Sequence, residues 1–154
     1  MSRDIKILFE RSIGIATLGT RNISHSGTPS MPILVLICQI IVALGLLNVW
    51  LLRFHKSTSY RGGGATSMRE EFATYGLPAW SCYLVGLLKV GSAIALLAGF
   101  IEPAFIFPAA LIVALLMVGA VAMHLKVKDP AKKSVPALIM LALCLVLLAG
   151  TWPN

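Results

Sequence analysis

Acidic side chains are scarce in this chain, and charge of either sign is thin. Six Asp and Glu stand against thirteen Lys and Arg in 154 residues, so charged residues make up 12% and the formal net charge is +7. A soluble domain carries roughly 25% charged residues to solvate its surface. Half that supply excludes a surface turned wholly to water. Cysteine is scarce as well. Cys38, Cys82 and Cys144 form an odd set, each inside an apolar run, with no Cys-x-x-Cys. That argues against a disulfide framework or a thiol-redox pair, and leaves three small core residues as the simpler reading. The glycine triplet Gly62–Gly64 is not followed by Lys-Ser/Thr, so no phosphate-binding loop is present there.

What the chain has instead is hydrophobe, 58% of its residues. Four apolar runs stand out, at about 31–52, 79–100, 103–125 and 135–152. Each approaches the roughly 20 residues that a helix needs to cross a ~30 Å hydrocarbon layer. Lipid cannot satisfy backbone N–H and C=O groups, so helix is the conformation these runs predict. Pro32, Pro78, Pro103 and Pro136 sit at or near the starts, where a missing donor does no harm, and Pro108 lies about one turn inside the third run. Trp50, Trp80 and Trp152 fall at run ends, where an indole favours the headgroup zone. The fold class is therefore all-α: a transmembrane four-helix bundle with a long loop and a short helix between spans one and two. Residues 1–30 form a separate amphipathic and flexible segment, and residues 31–152 the transmembrane domain. Small residues four apart, Gly91, Ala95 and Gly99, and again Ala110 and Ala114, predict close helix packing.

Basic residues cluster in the gaps. Arg53, Lys56, Arg61 and Arg69 lie in loop 53–78, and Lys126, Lys128, Lys132 and Lys133 in and around loop 126–134. That distribution suits anionic headgroups and argues against nucleic acid. By the positive-inside rule both loops fall on the cytoplasmic side. Ser67-x-x-Glu70 is a capping box, so "MREEFATYG" predicts a short helix with Gly76 as its stop. Phe72 and Tyr75 on that helix can dock onto the end of the bundle.

The residue that most needs explaining is Lys89, inside "YLVGLLKVGSAIALLAGF" with no acidic residue in the run. A charged side chain near the bilayer centre costs about 2.5–3.5 kcal/mol on insertion scales, and such residues turn toward the bundle interior. Lys89 is either a buried cation or proton-exchanging amine that meets a ligand, or an ammonium that snorkels or bonds to Asn48, Tyr83 or a carbonyl. His124 closes the third run as a candidate titrating group or ligand, with an interfacial histidine satisfied by backbone or water as the alternative. His55 falls on the same side, but in the polar loop, so the chain has no clear haem motif, and no flavin motif either. Asn48 and Gln39 in the first run are candidates for ligand contact or interhelical hydrogen bonding. In the long loop, Arg61, Arg69, Glu70 and Glu71 are candidates for binding an anion or a partner, or for pairing with one another.

The stretches "RGGGATSMREEFATYGLPAWSCYLVGLLKVGSAIALLAGF" and "AALIVALLMVGAVAMHLKVKDPAKKSVPALIMLALCLVLL" resemble the DoxX-like family of small four-helix membrane proteins. The resemblance rests on Phe72…Tyr75-Gly76-Leu77-Pro78 entering the second span, Gly86 with a charged residue at 89, Gly99, and "GAVAMH" closing the third span. It covers about residues 32–150. It implies a membrane bundle, and for some members a partnership with oxidoreductases, including thiosulfate:quinone systems. It implies no catalytic residue that can be placed on this chain, and it leaves enzyme status open. Two functions follow as expectations: a membrane subunit of a quinone-linked redox system, with a quinone-like cofactor near Lys89 and His124, or a non-catalytic accessory subunit of a larger membrane complex. Both expect the lipid bilayer and other membrane or membrane-associated proteins as partners.

Overall fold

The computed structural model describes residues 32–152; the amphipathic reading of residues 1–30 lies outside them. Pro32 caps α1 (Ile33–Leu47), which continues through a wider π turn, Asn48–Leu52. The loop then carries a short 3₁₀ turn, Gly62–Gly64, and α2 (Met68–Thr74). Helix α3 (Ala79–Ala98) follows Pro78, α4 (Ile106–Lys126) follows the 3₁₀ turn Pro103–Phe105, and α5 (Ala131–Gly150) follows Pro130. With their terminal turns the four long helices run 20 to 24 residues, about 30 Å or more at ~1.5 Å per residue, enough to span hydrocarbon.

The proline positions mostly act as their chemistry dictates. Pro32, Pro78 and Pro130 precede helices, and Pro108 falls in the first turn of α4, where no donor is needed. The fourth helix differs from the sequence expectation. It begins at Ala131, so Pro136 lies inside it. One lost backbone bond there is tolerated because Pro130 already sets the entry and the first turn, with Lys132 and Lys133, is polar.

Each long helix packs on two neighbours: α1 on α3 and α5, and α4 on α3 and α5. The bundle is thus square, with α1 diagonal to α4. Its core joins Val42, Leu46, Leu96, Ile106, Val113 and Leu147, and takes in Cys38 and Cys144 as small buried fillers. Large apolar residues such as Leu87, Ile94, Leu115, Ile139 and Leu145 face outward. In water that surface would be a severe liability; against acyl chains it is the expected one.

The small-residue seam contributes unevenly. A side chain at Gly99 would strike Ile106 and crowd the Gln39 amide, so close approach is needed there. Gly91 has open space around it. Trp80 and Trp152 are exposed at helix ends, but Trp50 is not. It is buried, its ring packed over Gly86, where a Cβ would come within 2.7 Å. The missing side chain on α3 gives the indole somewhere to go.

Candidate functional site

The site grows from the short helix. Ser67 Oγ accepts from the Glu70 amide at 3.3 Å, as a capping box requires. The return bond is shifted by one residue: the Glu70 carboxylate accepts from Thr66 N at 2.8 Å and Thr66 Oγ1 at 2.6 Å. Those bonds hold the Glu70 carboxyl below the usual glutamate range. At the other end Gly76 takes φ 74°, its amide bonding to Ala73 O and the Leu77 amide to Phe72 O. This paired closure stops the helix. Between these ends Met68, Glu71, Phe72 and Tyr75 recur at helical spacing and are buried. Met68 and Phe72 join Trp50 and Cys82 in a second apolar cluster. The helix is therefore bolted across the end of the bundle, as its aromatic face predicts.

Arg61 organises the loop. Its guanidinium, nearly buried, donates to Lys56 O at 2.9 Å, Arg53 O at 2.6 Å and Phe54 O at 3.3 Å, and meets Glu71 Oε2 at 3.1 Å. Glu71 Oε1 accepts from Gly62 N at 2.7 Å and from Tyr75 Oη at 2.9 Å. Burial, and then the Glu71 charge, keep the Tyr75 phenol protonated far above its ordinary range. The Gly63 amide donates to Asp129 at 3.1 Å. The anions that this glycine segment holds are thus carboxylates of the chain itself.

The end of α4 brings in two further groups. Lys128 adopts the left-handed conformation, φ 55°, and closes the helix as Gly76 closes α2: its amide bonds to Leu125 O and the Asp129 amide to His124 O. The reversal returns the Asp129 side chain to His124, with Nδ1 2.9 Å from Oδ2. A carboxylate only accepts, so Nδ1 carries the proton and Nε2 is the remaining nitrogen. Lys133 Nζ, one helical turn along, donates to Asp129 Oδ1 at 3.0 Å. Burial works against the Asp129 charge, but the bonds from His124, Lys133 and Gly63 outweigh it and hold the carboxyl below the usual range. A carboxyl depressed in the folded state stabilises fully above its unfolded value of about 3.9 and less as pH falls through the folded one. Exchange protection at the Gly63 amide is therefore expected to stay constant from pH 7 to 5 and to drop below pH about 4, measured by hydrogen exchange.

Beneath this polar layer lies a cavity of about 630 Å³ between the helices. Its walls include Leu46, Trp50, Phe72, Met117, Met123 and Met140, and its polar members include Asn48, Arg61, Glu71, Tyr75, Lys89 and His124. Lys89 reaches it from the middle of α3, its Nζ 5.3 Å from the centre of the Trp50 ring. Among the described residues it forms no ion pair. The size and the apolar lining with a few convergent polar groups are those of a small-molecule site. No group of three His, Cys, Asp or Glu gathers to hold a metal among the described residues.

Five of the sequence candidates, Lys89, His124, Asn48, Arg61 and Glu71, line this one cavity. Gln39 does not. It is buried between α1 and α3, its Nε2 donating to Leu96 O at 2.6 Å, which is an interhelical tie. Arg69 and Glu70 lie on the outer face of α2, and His55 is exposed beside Phe54. Trp50, Tyr75, Asp129 and Lys133 belong to the site without having been singled out as candidates. A signal for Asp129 existed: Asp-Pro straight after a helix end is a turn pair that redirects the chain.

Residues 35–147 match the model of a family described as the DoxX-like family. No curated protein and no solved structure matches the chain. The matched segment includes every residue placed around the cavity.

Proposed function

The chain belongs to the DoxX-like family, and from that premise we propose that it is the membrane subunit of a quinone-linked redox system, with a quinone-like ring seated in the cavity under its long loop. It is a small multi-pass membrane protein, and four helices are long and apolar enough to cross a bilayer. The observation that carries the reading is Lys89. An ammonium at that depth costs about 2.5–3.5 kcal/mol, and an aromatic face returns about 0.5–2 kcal/mol. A ring carbonyl that accepts from the ammonium adds about 1.5–3 kcal/mol, the worth of a charge-assisted hydrogen bond, and closes the deficit. The indole and the methionine walls suit a flat, tailed ring. Electron transfer on this reading belongs to a partner protein, and the basic loops face the cytoplasm.

The test is binding of decylubiquinone to the purified protein in lipid nanodiscs, followed by quenching of tryptophan fluorescence. Lys89→Met is expected to weaken binding about tenfold or more, the loss of one charged hydrogen bond, while the melting temperature holds. Equal binding by the variant rejects the reading. A parent protein that binds no quinone yet co-purifies with a stable partner favours the accessory-subunit role instead.

A further inference from the structure

The cavity has a second polar pole that the role of Lys89 leaves unused. His124 lines its loop-side end, and the imidazole is held from behind. Asp129 takes Nδ1, and Asp129 is fixed in turn by Lys133, one helical turn along, and by the Gly63 amide from the long loop. A lone structural histidine needs no such support. A carboxylate behind an imidazole fixes the tautomer and stabilises the imidazolium when it forms.

We propose that His124 is the hydrogen-bonding group that discriminates the redox form of the bound ring at its oxygen nearest the loop, and that Asp129 is its positioning residue; this rests on the quinone reading of the same cavity. When the imidazole is neutral, Nε2 is an acceptor and takes a hydrogen bond from a quinol hydroxyl. When it is protonated, Nε2–H is a donor and favours a quinone carbonyl. The site then ranks the two forms of the ligand by pH, with no change of bonding to carbon. Tyr75 cannot supply this switch. Its oxygen lies 3.4 and 3.5 Å from the two ring nitrogens, but its proton is committed to Glu71 Oε1 and the phenol stays protonated. The other charged groups around the imidazole are already engaged. Glu71 pairs with Arg61, Lys133 with Asp129, and Lys126 Nζ donates to Tyr75 O at 2.8 Å. Lys89 lines the same cavity, its Nζ over the Trp50 ring.

The experiment measures dissociation constants of decylubiquinone and, without oxygen, decylubiquinol between pH 5.5 and 8. In the parent protein the preference for quinol over quinone is expected to rise about tenfold across that range. His124→Gln, whose amide both donates and accepts at every pH, should bind both forms with a flat ratio. Asp129→Asn should reduce the rise to about threefold or less, and its amide can still occupy Nδ1, so folding is preserved. Lys89→Met should weaken both forms and keep the slope, which separates the two poles. A flat ratio in the parent, or a slope that survives in His124→Gln, overturns the proposal while quinone binding stands. Absence of binding of either form to the parent overturns the quinone reading and this proposal together.

Discussion

Arg61→Met is expected to lower the unfolding free energy by about 3–5 kcal/mol, the cost of breaking a buried ion pair from one side. The guanidinium is almost fully enclosed and is the one group that joins Arg53 O, Phe54 O, Lys56 O and Glu71. Its removal strands the Glu71 carboxylate, which keeps only the Gly62 amide and the Tyr75 phenol as donors. Three carbonyls lose a partner in the same step. Arg69→Met, one turn before Phe72 on the exposed face of α2, should change stability by no more than about 0.5 kcal/mol. The double variant Arg61→Met, Glu71→Leu should recover a large part of the loss, because deleting both charges removes the desolvation that a single deletion exposes. Denaturant unfolding in detergent micelles, read by near-ultraviolet circular dichroism, separates the three cases. An Arg61 variant as stable as Arg69→Met would mean that the pair is decorative and that the apolar face of α2 alone holds the loop down.

The contrast between Arg61 and Arg69 shows where the sequence was informative. The four spans were legible because lipid leaves the backbone only one way to satisfy itself, and no tertiary detail can override that. The short helix was legible because Ser67, Glu70 and Gly76 carry their signals within a few residues. Lys89 declared itself by cost: a charge in an apolar run has to be explained wherever the helix turns. Choosing Arg61 over Arg69 required knowing which residues the loop brings under α2, and that contact spans ten positions with no periodic signature. The His124–Asp129 pair was hidden for a different reason. Five residues apart, the two do not share a helical face; they meet only because Lys128 takes a conformation that a lysine seldom adopts. The burial of Trp50 was not legible because its partner is an absence, the hydrogen of Gly86 one helix away.

Gly62→Ala is expected to destabilise the protein by about 2–3 kcal/mol, and the reason is one oxygen. Glu71 Oε1 accepts from the Gly62 amide at 2.7 Å and from Tyr75 Oη at 2.9 Å, so both donors crowd the same small volume. A β-carbon at position 62 falls on the phenol: it collides with Oη and comes within 2.6 Å of Cε1 and Cζ. Tyr75 cannot yield cheaply, since it is buried, with Phe72 on one side and the His124 ring edge-on at 5.8 Å on the other. Overpacking of this kind costs about 1–3 kcal/mol, and forcing the phenol away adds the loss of a hydrogen bond to a charged acceptor, about 1.5–3 kcal/mol when complete. Partial relaxation keeps the total below the sum. Gly64→Ala supplies the control. Its φ is 79°, but nothing lies within 4 Å of an added β-carbon, so only backbone strain of about 1–2 kcal/mol applies. The two variants should therefore also differ in kind: Gly62→Ala should perturb the chemical shifts of the Tyr75 and His124 rings, whereas Gly64→Ala should leave both where they were. If the two were equally destabilised with both rings undisturbed, the shared acceptor would not be what fixes the glycine. Because Tyr75 borders His124, the same displacement should also loosen the end of the cavity at which the imidazole stands, so the glycine next to Arg61 acts on the cavity through a phenol and not through any anion of its own.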